Sequence, residues 1–369
     1  MLLVPVQSLD SLQEIRDALQ FAIELEHSTI PPYLTAMLSM KPGSGRNSDV
    51  IAPVFHEIVV QEMEHLGTVA NILNAIGGTP AFNQRNFIPA YPGGLPFHIG
   101  DKDGKKFEVG VRALSRDVVH DTFMKIEEPH DPIHFPVKER TRLFSAVAFP
   151  DRFQTIGEFY TALSNALDVT YFVTDASRQV TGGGLSAITD PDPKKSLANA
   201  RAAIEVIKRQ GEGTTQDPLQ GTTEPPAHYY LFAGFYYGRT LVPDASVNEK
   251  YSYSGEDVSI DPAGVYPLLP DPTEASYAPG DPAYVANRKF NSAYSTLLDQ
   301  LHDTFNGTPR GLGRAIGTMY ALKGIAAGND SNGAPNGMVT LPVTGPDGKT
   351  YNASPTYTYL DPNDRVPFA

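Results

Sequence analysis

A glutamate and a histidine interrupt the apolar face of a helix predicted between Val54 and Gly78. Apolar residues recur there every three or four positions, and Glu62 and His65 fall on the same face. A Glu-x-x-His pair that projects inward from a bundle helix is the unit of two-metal carboxylate sites. A buried ion pair without metal is the alternative, but burying both groups is costly unless something compensates. A divalent metal ion would do so.

The preceding helix carries a second carboxylate on an apolar face. Ser11 and Glu14 match a capping box, and the helix that begins there places Glu26 among apolar residues. Pro31 and Pro32 remove backbone hydrogen bonds just after Glu26, so we expect a kink with freed carbonyl groups. The apolar periodicity continues beyond both prolines, which predicts that the helix continues to about residue 40.

These two helices are expected to bring their polar side chains together. The connection, residues 41–52, is a short loop with Pro and Gly, which favours antiparallel packing of the two helices. Glu26 lies about midway along the first helix, and Glu62 and His65 lie about midway along the second. The three side chains therefore should share one level of a buried interface.

Two more helices are predicted, at about residues 155–179 and 196–212. Glu158 begins the first of them, but a capping box explains it as well as a ligand role does. Glu212 ends the second, and His228 opens an apolar run after a polar break. If Glu212 and His228 belong to one interrupted helix, they supply the second Glu/His pair that a two-metal bundle requires.

The predicted fold class is mainly α, a four-helix bundle in a single domain of residues 1–369. Loops must be long, because the chain has 32 Pro and 32 Gly. A segment of about seventy residues between the second and third helices suits the long, decorated crossover of such a bundle. The predicted parts are bundle helices at about 11–40, 53–76, 155–179 and 196–212, an insertion at 79–150, and a C-terminal extension of helices and coil at 243–369.

Composition excludes several classes of function. The absence of Cys excludes disulfides, thiolate nucleophiles and iron–sulfur clusters, so any metal is held by oxygen and imidazole ligands. A formal net charge of −13 argues against a nucleic-acid partner. The sequence has no run of 18 apolar residues and no signal-peptide pattern. We therefore expect a soluble, cytoplasmic protein with no membrane partner.

Several runs of the sequence resemble one known family. They look like the ferritin-like domain of the iminophenylpyruvate dimer synthases of bisindole pathways such as violacein and rebeccamycin. The similar runs are AIELEHSTIPPYL (Ala22 to Leu34), EMEHLGTVANILNAIGGTP (Glu62 to Pro80), FMKIEEP (Phe123 to Pro129), TIGEFY (Thr155 to Tyr160), QGEG (Gln210 to Gly213), AHYY (Ala227 to Tyr230) and FNSAYSTLLDQL (Phe290 to Leu301). Together they are spread over most of the chain.

The resemblance implies a ferritin-like four-helix bundle around a two-metal centre. The ligands it implies are Glu26, Glu62, His65, Glu158, Glu212 and His228. The residue pattern alone indicates the first three, and the other three depend on the resemblance. Tyr33, Tyr160 and Tyr229 are plausible partners for the far ring nitrogens of the two histidines.

Four carboxylates and two imidazoles would neutralise two divalent ions and favour iron, then manganese, over soft metals. Three hypotheses follow. The first is a di-metal oxidoreductase that uses O₂ or peroxide on a small, aromatic substrate, as in oxidative coupling. The second is a metal-handling ferroxidase or catalase-like protein, and the third is a metal-free structural bundle. A homo-oligomer is compatible with each.

Overall fold

The fold is built mainly from helices, as the sequence predicts. The computed structural model describes residues 9–95, 99–101, 106–129, 153, 155–212, 218 and 225–368. Within these ranges the structure also contains two small antiparallel sheets of two strands each. No helix among the described residues is both long and apolar enough to cross a membrane.

The first helix, α1 (Leu12–Leu38), passes through both of its prolines without ending. A proline removes the hydrogen bond to the carbonyl four residues earlier, which for Pro32 is the carbonyl of Ser28. The hydroxyl of Tyr91 donates to that carbonyl at 2.8 Å. The predicted free carbonyl therefore exists and is satisfied by a residue from the crossover, which lets α1 run the full height of the bundle.

Helices α1 and α2 (Ala52–Ala75) form the predicted antiparallel pair. The capping box of Ser11 and Glu14 begins α1 as predicted. At the same end of the pair, Arg16 donates to the carbonyl of Ile76, just beyond α2, at 2.7 and 3.1 Å. A cation at a helix C-terminus also interacts favourably with the helix dipole.

The second pair of the bundle is α5 (Ile156–Ala166) and α6 (Pro193–Gly211). These helices pack on each other, α5 also contacts α1, and α6 also contacts α2, which closes the four-helix arrangement. The start of α5 meets the end of α6, because the backbone N–H of Gly157 donates to the side chain of Glu212 at 2.5 Å. The predicted antiparallel order of this pair is therefore present.

The third bundle helix is shorter than predicted. We expected a helix to about residue 179, but α5 ends at Ala166 because Leu167 is extended, with φ −65° and ψ 125°. The side chain of Asp168 then accepts a hydrogen bond from the N–H of Thr170 at 2.8 Å, which stabilises a separate 3₁₀ turn. Local hydrogen bonds of this kind compete with the helix and end it.

The crossover between α2 and α5 contributes its own helical segment. It consists of α3 (Arg116–Val118), a π-helical turn (Val119–Phe123) and α4 (Met124–Ile126). Helix α7 (His228–Tyr237), with the left-handed Gly238 at its C-cap, packs against this segment.

Aromatic rings anchor the crossover segment to the bundle. Phe123 packs on Tyr33 of α1 at a centroid distance of 5.0 Å, on Phe55 of α2 at 5.8 Å and on Phe232 of α7 at 5.3 Å. Phe55, Phe123 and Phe232 are fully buried. Such edge and tilted ring pairs contribute beyond their buried area. The cluster fixes the position of the residues that follow Phe123, including Glu127.

The C-terminal extension covers the outer face of the first helix pair. Helices α8 (Pro282–Phe305) and α9 (Leu312–Ala327) form a hairpin that contacts α1 and α2. The region predicted as coil contains a strand, because β1 (Arg239–Pro243) pairs with β2 (Tyr251–Asp257). Near the C-terminus, β3 (Pro342–Thr344) pairs with β4 (Thr350–Asn352).

Candidate metal centre

Two groups of buried carboxylates and histidines meet inside the bundle and share one residue. One group is Glu26, Glu62 and His65, and the other is Glu62, Glu127 and His228. In each group one candidate ligand atom per residue lies within 4.8 Å of the others. All five residues are at most 4% exposed. Helices α1, α2 and α7 and the crossover therefore place two adjacent three-ligand sets around Glu62.

The δ nitrogens of both histidines face carboxylate oxygens. Nδ1 of His65 lies 3.4 Å from Oε2 of Glu26. Nδ1 of His228 lies 2.9 Å from Oε1 of Glu62 and 3.6 Å from Oε1 of Glu127. The two imidazole rings are nearly parallel, with centroids 5.9 Å apart. This arrangement directs two nitrogen ligands and three carboxylates into one small volume.

Glutamine side chains hold the other ring nitrogens. Nε2 of His65 lies 2.8 Å from Oε1 of Gln210, and Nε2 of His228 lies 2.7 Å from Oε1 of Gln61. An amide oxygen can only accept, so Nε2 carries a proton in both rings, and Nδ1 is the ring nitrogen that a metal ion could bind. Outer partners of this kind orient histidine ligands of metals.

A metal ion fits the nitrogen and oxygen atoms that are not used in these hydrogen bonds. Nδ1 of His228 is buried and has no hydrogen-bond partner, although a carboxylate oxygen of Glu62 lies 2.9 Å away. At this distance either a proton or a metal ion must lie between Nδ1 and the carboxylate oxygen, because two lone pairs that face each other repel. Imidazole and carboxylate ligands suit iron or manganese. The residues therefore fit the metal that the sequence predicts.

Tyrosine hydroxyls donate hydrogen bonds to the carboxylates and not to the histidines. The hydroxyl of Tyr160 donates to Oε1 of Glu26, and that of Tyr33 donates to Oε1 of Glu127 at 2.6 Å. Burial and the neighbouring carboxylates raise the pKa of both tyrosines well above the usual value, so they remain neutral donors. The prediction that tyrosines hold the imidazoles is wrong for these two. Tyr229, the third residue predicted, packs instead on Tyr230 at 5.1 Å.

Protons can occupy the site in the absence of metal. Burial, together with the charge of Glu127, raises the pKa of Glu62 to about 7. Burial disfavours charge on His228, but Glu127 and Glu62 outweigh it and raise its pKa to about 10. Because both values are raised on folding, the folded metal-free chain binds extra protons and loses stability as pH rises. A bound divalent ion would replace these protons.

Glu212 approaches the same site from the end of α6. It is partly buried and lines a small cavity with Glu26, Glu62, His65 and Glu127. Burial raises the pKa of Glu212 to about 8. A Cβ at Gly157 would lie 2.2 Å from Oε2 of Glu212, and one at Gly211 would lie 3.0 Å from Oε2 of Glu127. Two glycines therefore leave the space that these carboxylates occupy.

Glu158 lies outside both groups. It is partly buried in the first turn of α5, where its N–H donates to Oγ1 of Thr155 at 3.1 Å. This contact shows that Thr155 caps α5, which is one half of the capping box that the sequence predicts. The described residues place Glu158 in neither ligand group, and the ligand role that the resemblance implies for it stays a prediction.

Glu127 is the ligand candidate that sequence reasoning missed. Val119, Phe123 and Glu127 follow each other at steps of four, which places the carboxylate on the apolar face of a helical segment. The same pattern identified Glu62, but here it extends over only about two turns and falls within a crossover. This spacing was the available signal.

The helical pattern of the sequence predicts a solvated face of α2 that carries Glu57, Gln61, Glu64, Thr68 and Asn71, but two of these residues face other elements instead. Gln61 contacts His228 of α7, and Asn71 is fully buried. The Asn71 side chain donates to the carbonyl of Val180 at 2.8 Å and accepts from its N–H at 2.9 Å. Glu57 is exposed, as predicted. The outer face of α2 is therefore covered at these positions by chain that the helical pattern alone did not reveal.

Comparison with known families agrees with this geometry. The model of the family described as Ferritin-like matches residues 19–237. The chain belongs to the ferritin-like family. Six residues are candidate metal ligands from the sequence, from the structure or from both. The matched range contains all of them: Glu26, Glu62, His65, Glu127, Glu212 and His228. It ends at the C-terminal residue of α7.

A solved structure supports the same fold. A ferritin-like protein from Caulobacter vibrioides is similar with a TM-score of 0.55 and 24% sequence identity. The match covers 85% of this ferritin-like chain and 93% of that chain, so it extends beyond the bundle into the C-terminal extension. No curated protein matches this sequence.

We expect the glutamines behind the histidines to affect metal affinity. Gln61→Leu should weaken metal binding about 10- to 100-fold, because it releases the ring of His228 from its fixed orientation and tautomer. Isothermal titration of the metal-free protein with Mn²⁺ measures the change. The matched control is Gln13→Leu, the same substitution at an exposed position of α1. Equal affinities in the two variants would show that Gln61 does not orient His228.

Proposed function

We propose that this ferritin-like chain binds two divalent metal ions, iron ahead of manganese, and reacts with O₂ or peroxide. The proposed ligands are Glu26, Glu62, His65, Glu127, Glu212 and His228. Glu158 is replaced in this set by Glu127. The single observation that carries the proposal is that Glu62 belongs to both buried ligand groups, as a carboxylate between two metals would.

The charges of the proposed ligands support two ions rather than one. Glu26, Glu62, Glu127 and Glu212 carry four negative charges when ionised, which two divalent ions neutralise. Neutral imidazoles complete the set without changing that balance. With a single divalent ion, bound protons would have to compensate the remaining buried negative charge, which is costly in an apolar interior.

The residues around the proposed ions position ligands and hold protons. Tyr160 and Tyr33 donate to Glu26 and Glu127, which fixes one oxygen of each carboxylate and leaves the other available. Glu212 has its pKa raised to about 8 by burial, so it can hold a proton at neutral pH beside the site. Two adjacent ions of this kind supply electrons to O₂ or peroxide, or act together as Lewis acids.

The size of the site favours a small oxidant over a large substrate. The cavity among the carboxylates, as bounded by described residues, has a volume of about 20 Å³. One water-sized molecule needs about 10 to 15 Å³. The proposed ions would themselves fill this space, and an aromatic ring does not fit among the carboxylates. The geometry therefore supports a metal-handling ferroxidase or a catalase-like activity first.

Oxidation of an aromatic imino or keto acid is the second candidate. The observation that favours it is that Glu127, found only from the structure, lies in the run FMKIEEP that resembles the iminophenylpyruvate dimer synthases. Every proposed ligand thus falls within a run similar to that family. For this candidate an aromatic substrate would have to bind outside the small cavity that Ile156 and Gly211 line together with the carboxylates.

Metal loading and oxidant consumption test these proposals together. Metal-free protein is loaded anaerobically with Fe²⁺ or Mn²⁺, and the bound metal is counted by mass spectrometry. O₂ or peroxide is then added, and its consumption is followed with an electrode. We expect about two ions per chain and consumption that needs no organic molecule. Protein stripped again with chelator is the matched control.

Each result selects one hypothesis. Consumption that starts only after an indole-pyruvate imine is added would favour the aromatic oxidase over the metal-handling protein. Binding of two ions without any consumption of O₂ or peroxide would contradict both proposed activities. The proposal of a two-metal centre would still stand. Absence of binding would leave only the metal-free structural bundle.

A further inference from the structure

A second and much larger cavity lies on the opposite face of the α1–α2 pair. Its volume is about 450 Å³, within the range of about 300–1,000 Å³ typical of small-molecule sites. On α2, Glu62 and His65 face the candidate metals, while Met63 and Gly67 line this cavity. The first helix pair therefore separates two distinct sites.

The cavity has a buried apolar floor and a rim that is open to solvent. Leu298 and Phe305 on the floor are each 1% exposed. At the rim, Tyr320 is 56% exposed, and Gly183 and Gly184 are exposed as well. The partly exposed apolar side chains that complete the walls include Val60, Met63, Leu297, Leu301, Ile316 and Met319. A ligand can therefore enter at the rim and bury an apolar body beneath it.

A single carboxylate belongs to this apolar lining. Among the described lining residues Glu64 is the acidic one, and none is a lysine or an arginine. Glu64 is partly exposed, and a Cβ on Gly184 would overlap Oε1 and Cδ of its carboxylate. The carboxylate therefore lies against the exposed turn at the rim. No described residue donates a hydrogen bond to this carboxylate or forms an ion pair with it.

The histidine among the lining residues is less accessible than Glu64. His27 is 3% exposed, and its Nε2 lies 2.5 Å from the hydroxyl of Tyr294. Its other ring nitrogen is buried. Glu64 is therefore the charged group that a ligand in this cavity can reach.

We propose that this cavity binds an apolar amine, with the hydrocarbon body on the floor and the protonated nitrogen at the carboxylate of Glu64. An ammonium group only donates and an ionised carboxylate only accepts, so the two are complementary. Hydrogen bonds between two charged groups are also stronger than those between neutral groups. The formal net charge of −13 further favours a cation over an anion.

The floor of the cavity suits an aromatic body of two fused rings. The side chains of Tyr294 and Phe305 are among its lining residues, and aromatic rings stabilise each other beyond their buried area. An apolar cavity of about 150 Å³ accommodates benzene. A cavity of about 450 Å³ therefore admits a bicyclic ring together with a short arm that carries the nitrogen.

Three naphthyl compounds of similar shape and different charge test the proposal. They are 1-naphthylmethylamine, which is protonated at neutral pH, the neutral 1-naphthylmethanol, and the anion 1-naphthoate. Because the chain has no Trp, indole fluorescence does not mask the emission of the probes. Titration of the whole chain should show saturable binding of one amine per chain, weaker binding of the alcohol and still weaker binding of the anion.

Two pairs of variants locate the bound amine. Glu64→Gln keeps the size of the side chain but removes its charge, so the amine should lose about fivefold in affinity while the alcohol changes little. Glu57→Gln is its control at an exposed position of the same helix. Leu301→Trp fills the cavity and should abolish binding of both probes, whereas Val285→Trp, at an exposed position of α8, should retain it.

The proposal fails if the amine shows no saturable binding, or if the alcohol or the anion binds as tightly. It also fails if Glu64→Gln binds the amine as well as Glu57→Gln does, or if Leu301→Trp binds it as well as Val285→Trp does. Should Leu301→Trp not fold, Met319→Trp fills the same cavity from α9 and replaces it.

The amine site is tested separately from the proposed metal centre. Each titration is made with metal-free protein and repeated after addition of Mn²⁺, and the affinity for the amine should be the same in both. Amine binding without metal would therefore establish this site even if the proposed metal function is wrong. Amine binding that requires Mn²⁺ would place the amine at the metal ions and contradict the proposal.

Discussion

Glu62→Gln is expected to abolish the binding of both metal ions. Glu62 belongs to both ligand groups, and its Oε2 also accepts a hydrogen bond from the hydroxyl of Thr29 at 2.9 Å. Glutamine keeps the size of the side chain but removes its charge and leaves one neutral oxygen for two ions. Since even residues behind metal ligands affect affinity about 10- to 100-fold, we expect a loss beyond about 100-fold at both ions. Metal counting after dialysis measures it.

Glu57→Gln is the matched control for Glu62→Gln. It makes the same substitution on the same helix at an exposed position, and we expect it to retain both ions. Retention of both ions by Glu62→Gln would contradict the shared ligand, because two independent sites would survive its loss. Circular dichroism and thermal unfolding of both variants establish that the bundle remains folded.

Glu127→Gln is expected to remove one ion and leave the other. Glu127 lies in the group with Glu62 and His228, while Glu26, Glu62 and His65 form the other group without it. The hydroxyl of Tyr33 can still donate to the amide oxygen, so the side chain keeps its position. The number of ions per chain should therefore fall from two to one. Calorimetric titration and metal counting report the change.

The neighbouring carboxylate provides the control for this variant. Glu128 is partly exposed and lies in neither ligand group, so Glu128→Gln should retain both ions. If Glu127→Gln retains both ions, Glu127 is a hydrogen-bond acceptor for Tyr33 and not a ligand. Loss of both ions would show that the two positions cannot fill independently.

The sequence predicted the candidate ligands that lie within long, regular helices. Glu26, Glu62 and His65 interrupt apolar faces of α1 and α2, and periodicity alone identifies the buried face of such helices. The short loop between the two helices favours their antiparallel packing, which places these residues at one level of the bundle. The bundle and its long crossover followed from the same pattern. Apolar periodicity was sufficient to identify these residues because it extends over several turns of each helix.

The contacts between distant segments were not accessible to the same reasoning. Gln61 was assigned to solvent because it lies opposite the apolar face of α2, yet His228 arrives there from a segment 167 residues away. Periodicity describes a helix against one neighbour, and it carries no information about a second neighbour on the other side. Gln210 was recognised only as part of a similar run, and its contact with His65 required coordinates.

Glu127 and Glu158 show how local and global signals compete. Glu158 follows Thr155 at capping-box spacing, and the structure places it in that capped first turn. Glu127 follows a helical segment too short to show strong periodicity, and its position depends on the packing of Phe123 against three helices. The first is decided by neighbouring residues, the second by the tertiary fold.

The location of Glu127 in the crossover constrains how this chain can change over evolution. Surface segments between helices normally tolerate insertions and deletions well, because their entropic cost grows slowly with length. Here the stretch from Phe123 to Glu127 is held by the aromatic cluster on one side and by Tyr33 on the other. Length variation should therefore accumulate before Arg116 or after Pro129, while residues 123–127 keep their spacing in any descendant that retains the proposed metal site.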